Sequence, residues 1–257
     1  MVWWTRWGVC LVAVVAALAP AKGGPSGDRM PVVASFYPLF EFAQRIGGDR
    51  VAVRNLVPPG AEPHDYEPTP RDVQAMHRAR VIVFNGVGLE PWGRRLLEGL
   101  PAGVVRVNAS EGISLATISS GEDRGRRDPH VWLDPVRAQQ QVDNVLAGLV
   151  GADPSGRGAY EANAAAYKRQ LAALHGRFAR RLGPCRKKVF VVSHIAFGYL
   201  AARYGLTQIA VSGLEPEAEP SAAKLREILR LIRRHDLRVI YYETLVSQRV
   251  ASTIARE

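Results

Sequence analysis

The sequence predicts an α/β protein of two lobes, each built on a mainly parallel sheet and joined by one long rigid helix. Three observations carry this reading. In the first part of the chain, short β-rich apolar runs alternate with helical patterns, the rhythm of a parallel sheet covered by helices. A helix-rich stretch then interrupts the rhythm. After it the alternation restarts, with roughly three strands against four before.

The elements follow in order. Val32 to Ser35 reads as a strand, and Pro38 to Ile46 as a helix stopped by Gly47-Gly48. Val51 to Val57 is the second strand. Thr69-Pro70-Arg71-Asp72 is a helix start, with Thr as N-cap, Pro at the first helical position and an acid in the first turn. Val81 to Asn85 and Val104 to Val107 are further strands. Pro135 to Val150 and Tyr160 to Leu182 are helices, the second rich in Ala, Leu, Gln and Lys and long for a globular protein. Lys188 to Ser193, Gln208 to Val211 and Val239 to Tyr242 are the later strands. Helices over Ala196 to Tyr204, Ser221 to His235 and Ser247 to Arg256 alternate with them. The chain stops abruptly at Glu257, where a doubly wound half would add another strand and helix. The C-terminal lobe is therefore expected to be truncated. The expected domains are a leader at 1–21, an N-terminal lobe at 30–154, a connecting helix at 155–183 and an incomplete C-terminal lobe at 184–257.

The leader has one charge, Arg6, then a short apolar run from Gly8 to Ala19 and a small-residue cleavage site at Ala19-Pro20-Ala21. That is a secretory signal pattern, and the run is short of the roughly 20 apolar residues of a membrane span. Export places the protein in the periplasm or outside the cell. An uncleaved anchor is the alternative. Past the leader, Cys185 is the one remaining cysteine, so no internal disulfide forms and the core must supply the stability. The net charge of +10 includes Arg6. Arg177, Arg180, Arg181, Arg230, Arg233 and Arg234 lie on helices without interleaved aromatics. That pattern reads as a solvated face and not as a nucleic-acid footprint.

Six histidines fall into two groups. His64 follows the second strand, His130 the fourth, and His194 the strand that ends at Ser193. All three stand beyond the carboxyl ends of parallel strands, where open α/β sheets bind ligands. Imidazole suits zinc, copper, iron and nickel, and three of them leave one position of a tetrahedral zinc site. A carboxylate can fill it. Glu243, at the end of the last strand, is the eligible residue, and Glu215 in a Pro- and Glu-rich loop is a weaker one. His77, His175 and His235 lie within or at the ends of helices and read as structural or exposed, His235 in favourable contact with a helix dipole. Trp92 and Trp132 read as packing residues. Glu90 and Asp134 either orient the site or cap helices, Asp134 before Pro135 as a cap first.

On these residues the chain resembles the metal-binding subunits of bacterial zinc and manganese importers of the ATP-binding-cassette class, the ZnuA/TroA-like family. The matching stretches are Ser35-Phe36-Tyr37-Pro38, Leu56 to Pro70, Asn85 to Trp92, Asp128 to Pro135, Ser193-His194 and the Glu215 to Pro220 loop. The resemblance implies two α/β lobes joined by a rigid helix, with metal in the cleft between them and limited lobe closure. It implies that His64, His130 and His194 are ligands. It also implies an acidic fourth ligand beyond Glu257, with Glu243 as the fallback. Manganese-binding relatives tend to place a carboxylate where His194 stands, so His194 points to Zn2+, with Mn2+ or iron as the alternative. The partner implied is the membrane permease of an ABC importer, served by a monomer with no enzymatic activity. One departure stands out: Ser119 to Arg127 has no histidine where many zinc-binding relatives carry a His- and acid-rich loop. The rival readings are a zinc hydrolase, for which no HExxH pattern or nucleophile elbow is present, and a surface adhesin.

Overall fold

The computed structural model describes residues 29–243, apart from 120, 122 and 219, together with 252 and 254. The expected leader at 1–21 lies outside the described residues, as does most of the helix expected over Ser247 to Arg256.

The first lobe is a four-stranded parallel sheet in the order β2-β1-β3-β4. Its strands are β1 (Met30–Ala34), β2 (Val51–Asn55), β3 (Val81–Phe84) and β4 (Val105–Asn108). Every neighbouring pair runs parallel. Alternation decides which way each side chain points. Val32, Ala34, Val81 and Val83 enter one buried cluster, while Val33 and Ile82 enter another on the opposite face. A parallel sheet buried on both faces reads as continuous apolar runs, which is why VVA and VIVF mark its centre. Helices α1 (Tyr37–Gly47), α4 (Pro135–Ala152) and α5 (Arg157–Leu182) cover the first face with Leu39, Ile46, Val145, Leu149 and Tyr160. Helices α2 (Pro70–Arg78) and α3 (Gly93–Glu98) cover the second with Met76 and Leu97. Gly148 of α4 lies so close to β4 that a Cβ there would meet Val107 at 2.1 Å.

The caps follow the sequence. Thr69 and Asp72 form a reciprocal capping box on α2. Asp134 caps α4 through the Val136 amide, and Ser221 caps α7 (Ala222–Arg234) through Lys224. Gly48, at φ 55°, ends α1. Strand β2 ends at Asn55, short of the Val57 that the sequence predicts, yet Leu56 and Val57 still donate to Ala34 and Ser35 across the sheet. Helix α3 was not anticipated, because six residues opening on Gly93 carry no cap and no amphipathic repeat.

Among the described residues, the second lobe is a three-stranded parallel sheet in the order β6-β5-β7. Its strands are β5 (Val189–Val192), β6 (Thr207–Ala210) and β7 (Ile240–Tyr241), with α6 (Gly198–Tyr204) between β5 and β6. Helix α7 covers one face through Ile228, joined by Ile254. Helix α5 touches both lobes. Tyr160, Ala164 and Leu171 pack into the first lobe, while His175 and Phe178 meet Tyr204 of α6. None of the described helices is long and apolar enough to cross a membrane.

Candidate metal centre

Each of the three histidines sits on a loop leaving the carboxyl end of a strand. His64 lies beyond β2 in a stretch stiffened by Pro58, Pro59, Pro63 and Pro68, with its backbone N–H on Glu62. His130 lies between β4 and α4, and His194 between β5 and α6. The structure brings them together: one ring nitrogen from each lies within 4.8 Å of the others. Nε2 of His64 is 3.1 Å from Nε2 of His130, which is 3.3 Å from Nε2 of His194. His130 and His194 are buried and His64 is half-buried. The site opens into a cavity of about 570 Å³ whose walls include Phe36, Pro59, Trp132 and Phe197.

Proton positions follow from the partners of the far nitrogens. Nδ1 of His130 is 2.8 Å from Asp128 Oδ1, and Nδ1 of His194 is 2.7 Å from Glu243 Oε1. An ionised carboxylate only accepts, so each Nδ1 carries its hydrogen and each Nε2 of a neutral ring carries a lone pair. Both lone pairs point into the shared space. Burial, followed by the neighbouring imidazoles, draws the His64 pKa down from 6.5 to about 3. Burial also lowers that of His130, against the opposing pull of Asp128. Burial raises the Glu62 carboxyl. For Glu243 burial pushes upward, but hydrogen bonds from His194 and Ser193 and the nearby imidazoles outweigh it and leave the group lowered.

Two lone pairs about 3.3 Å apart cannot hydrogen-bond to each other; a shared cation satisfies both. Tetrahedral zinc with Zn–N bonds of about 2.0–2.1 Å sets its nitrogens about 3.3–3.4 Å apart, close to the 3.1 Å and 3.3 Å edges from His130 to His64 and His194.

The family model described as the zinc-uptake complex component A, periplasmic, matches residues 32–257. The chain belongs to this family. It is 38% identical to the high-affinity zinc uptake system protein ZnuA of Bacillus subtilis over 98% of this chain and 85% of that protein. It is 37% identical to the zinc-binding lipoprotein AdcA of Streptococcus pneumoniae over 89% of this chain but 48% of that longer protein. Among solved structures, the Zn(II)-bound ZnuA-like domain of pneumococcal AdcA superposes with a TM-score of 0.76 at 37% identity, over 89% of this chain and 84% of that one. The laminin-binding protein Lmb of Streptococcus agalactiae, described as bifunctional with adhesin and metal-transporting activity, superposes with a TM-score of 0.82 at 34% identity, over 88% and 85%.

Within this family member the acidic residues take roles that the sequence did not show. Glu243 is outside the group of converging donors, because its Oε1 accepts from Nδ1 of His194 and from Ser193. Its Oε1 is engaged in orienting the His194 ring, and Glu243 lines the same cavity as the three histidines. Glu215 accepts from Arg126 at 2.9 Å and is also outside the group. Orientation of His130 belongs to Asp128, a residue not singled out in advance. The signal for it is in the sequence: an acid two residues before a candidate ligand histidine can reach both its backbone N–H and its Nδ1. Glu90 binds Ser35 Oγ and the amides of Asn85 and Gly86, fixing the turn after β3. Trp92 packs in the core as expected, while Trp132 packs against both Phe36 and the His130 ring. The stretch from Ser119 to Arg127 reaches the second lobe. Asp123 accepts from the Leu214 amide at 2.7 Å, so tightly that a Cβ on Gly213 would meet it at 2.1 Å.

Proposed function

We propose that the protein captures zinc outside the cytoplasm and delivers it, as a monomer, to the membrane permease of an ABC importer. In this reading His64, His130 and His194 are the metal ligands. The leader at 1–21 exports the chain, and the segments 30–154, 155–183 and 184–257 act as first lobe, stiff connector and second lobe. Zinc is cargo here, so the protein breaks no bonds. It replaces the ion's water with imidazole and holds it until the importer takes it.

The observation that carries this reading is the pair of buried Nε2 lone pairs at 3.3 Å, each fixed by a carboxylate behind the ring. Three nitrogens and no converging carboxylate among the described residues suit zinc over manganese, which prefers oxygen donors. Membership of the zinc-uptake family and the zinc-binding names of its relatives support the same cargo.

Calorimetric titration of the secreted chain with zinc, with manganese as competitor, tests it. The expected result is one ion per chain, displaced poorly by manganese and lost in His64→Ala, His130→Ala and His194→Ala. Unchanged binding in any of the three removes that residue from the site. The likeness to Lmb favours a second role as an adhesin. Saturable binding to immobilised laminin, independent of zinc, supports that role, and no binding excludes it.

A further inference from the structure

Helix α6 joins the lobes behind the histidines. Tyr199 is buried at 2% exposure, and its ring packs with Ile113 and Val131 of the first lobe. Its hydroxyl accepts from the Ala116 amide at 3.0 Å and donates to the Asp128 carbonyl at 2.7 Å. Asp128 is the residue whose side chain holds His130. One turn later, Arg203 reaches Asp134, which is 0% exposed. Its Nε lies 3.1 Å from both carboxylate oxygens and its Nη2 2.7 Å from Oδ2. Arg137 of α4 binds the same carboxylate and stacks on the Tyr199 ring with Cζ 4.6 Å from its centre. The Asp134 carboxyl is held low: burial opposes this, but the hydrogen bonds of Arg203, the Val136 amide and Arg137 prevail.

Asp134 and Asp128 flank His130 in sequence, and α6 begins four residues after His194. The two attachments of α6 therefore connect the support of one histidine directly to the chain that carries another. A planar guanidinium on a buried carboxylate fixes orientation as well as distance.

We propose that Tyr199 and Arg203 are positioning residues that set the His130–His194 spacing before metal arrives, and that this spacing selects zinc over larger divalent ions. The inference rests on the zinc-site reading. The lock holds the edge of the nitrogen triad near the tetrahedral zinc value. Loosening it moves the His194 ring off the tetrahedral position; zinc, held by nitrogen donors, then loses a donor, while manganese, which prefers oxygen donors, depends less on that imidazole. Zinc affinity then falls, manganese affinity changes little, and the ratio between them narrows.

The test uses Tyr199→Phe, Arg203→Met and Arg203→Lys in the secreted chain, with three readouts. The first is the zinc and manganese affinity of each variant. Outer partners of metal ligands commonly contribute about 10–100-fold to metal affinity. Tyr199→Phe and Arg203→Met are expected to lose about tenfold for zinc and under threefold for manganese, with Arg203→Lys restoring charge but only part of the zinc affinity. The second is the visible spectrum with cobalt, whose strong tetrahedral bands should weaken and broaden in the variants. The third needs no metal: amide hydrogen exchange across residues 128–134 and 194–200 should speed up. Equal loss of zinc and manganese affinity, or unchanged zinc affinity and cobalt bands, overturns the proposal even where thermal stability falls. If the parent chain gives no tetrahedral cobalt spectrum, the zinc-site reading fails and selection fails with it. Exchange in the metal-free protein still decides whether α6 locks the lobes.

Discussion

The two lobes share one construction rule and differ in how the described residues clothe their sheets. In the first, the sheet is clothed on both faces, with Leu39, Ile46 and Val145 on one side and Met76 and Ile82 on the other all at 0% exposure. In the second, α7 covers one face, while the other borders an apolar cavity of about 550 Å³ lined in part by Phe190, Leu200, Leu206 and Tyr241. Val239 and Tyr241 remain 60% and 58% exposed. Yet His194, on the second lobe, is buried like His130, at 4% exposure against 2%. Burial of a site residue need not come from its own core. First-lobe rings stand against His194: Nε2 of His130 lies 3.3 Å from its Nε2, and the His64 ring meets it edge-on with centroids 5.7 Å apart.

Mutations chosen along this contrast should separate the lobes. The largest effect on binding is expected from His130→Ala, with zinc affinity down more than about 100-fold, beyond the loss typical of an outer partner; calorimetry reads it. The largest effect on stability is expected from Leu39→Ala in the first core, about 2–5 kcal/mol by urea unfolding. A loss below about 1 kcal/mol would break the reading of Leu39 as a fully buried core residue. Asp128→Ala should weaken zinc by about 10–100-fold with a native circular dichroism spectrum, because the His130 ring loses the acceptor that fixes its tautomer.

A smaller effect concerns pH. His64 and His130 have folded pKa values below the ordinary 6.5, His64 at about 3. The unfolded chain therefore binds protons first on acidification. Their neutral burial costs nothing above pH 6.5, and the metal-free protein loses stability as pH falls from there toward 3. Melting temperatures measured over that range should fall for the parent and fall less for His64→Phe. If these two rings hold zinc as proposed, the same burial places their competition with protons below the usual histidine range. The smallest effect is expected from Tyr241→Ser on the open face, within about 0.5 kcal/mol of the parent.

What could be read from the sequence was local. The Val-rich strands, the Thr69 and Ser221 caps and the Gly47-Gly48 stop depend on neighbours a few residues away, and each appears where expected. The convergence of His64, His130 and His194 was legible because parallel topology sends each loop to the carboxyl edge of its own sheet. The partners of those rings were less so. Glu243 lies 49 residues from His194, and a strand-end acid looks the same whether it faces a metal or an imidazole N–H. Arg203 is 69 residues from Asp134, and Tyr199 is 71 from Asp128. Nothing in the local pattern distinguishes them from other Arg and Tyr residues on short helices. Asp134 was read as a cap, and it is one, but its second oxygen also takes an arginine from the other lobe.

The histidines are divided unevenly: two stand on loops of the first sheet and one on the second. If they hold the ion as proposed, the cargo itself stitches the halves together, and the stitch has a weak side. A permease that tugs on the second lobe removes one donor and leaves the ion on a two-nitrogen remnant at the mouth of the cleft. Unloading would then begin with the departure of a single imidazole, and the first lobe need not deform at all.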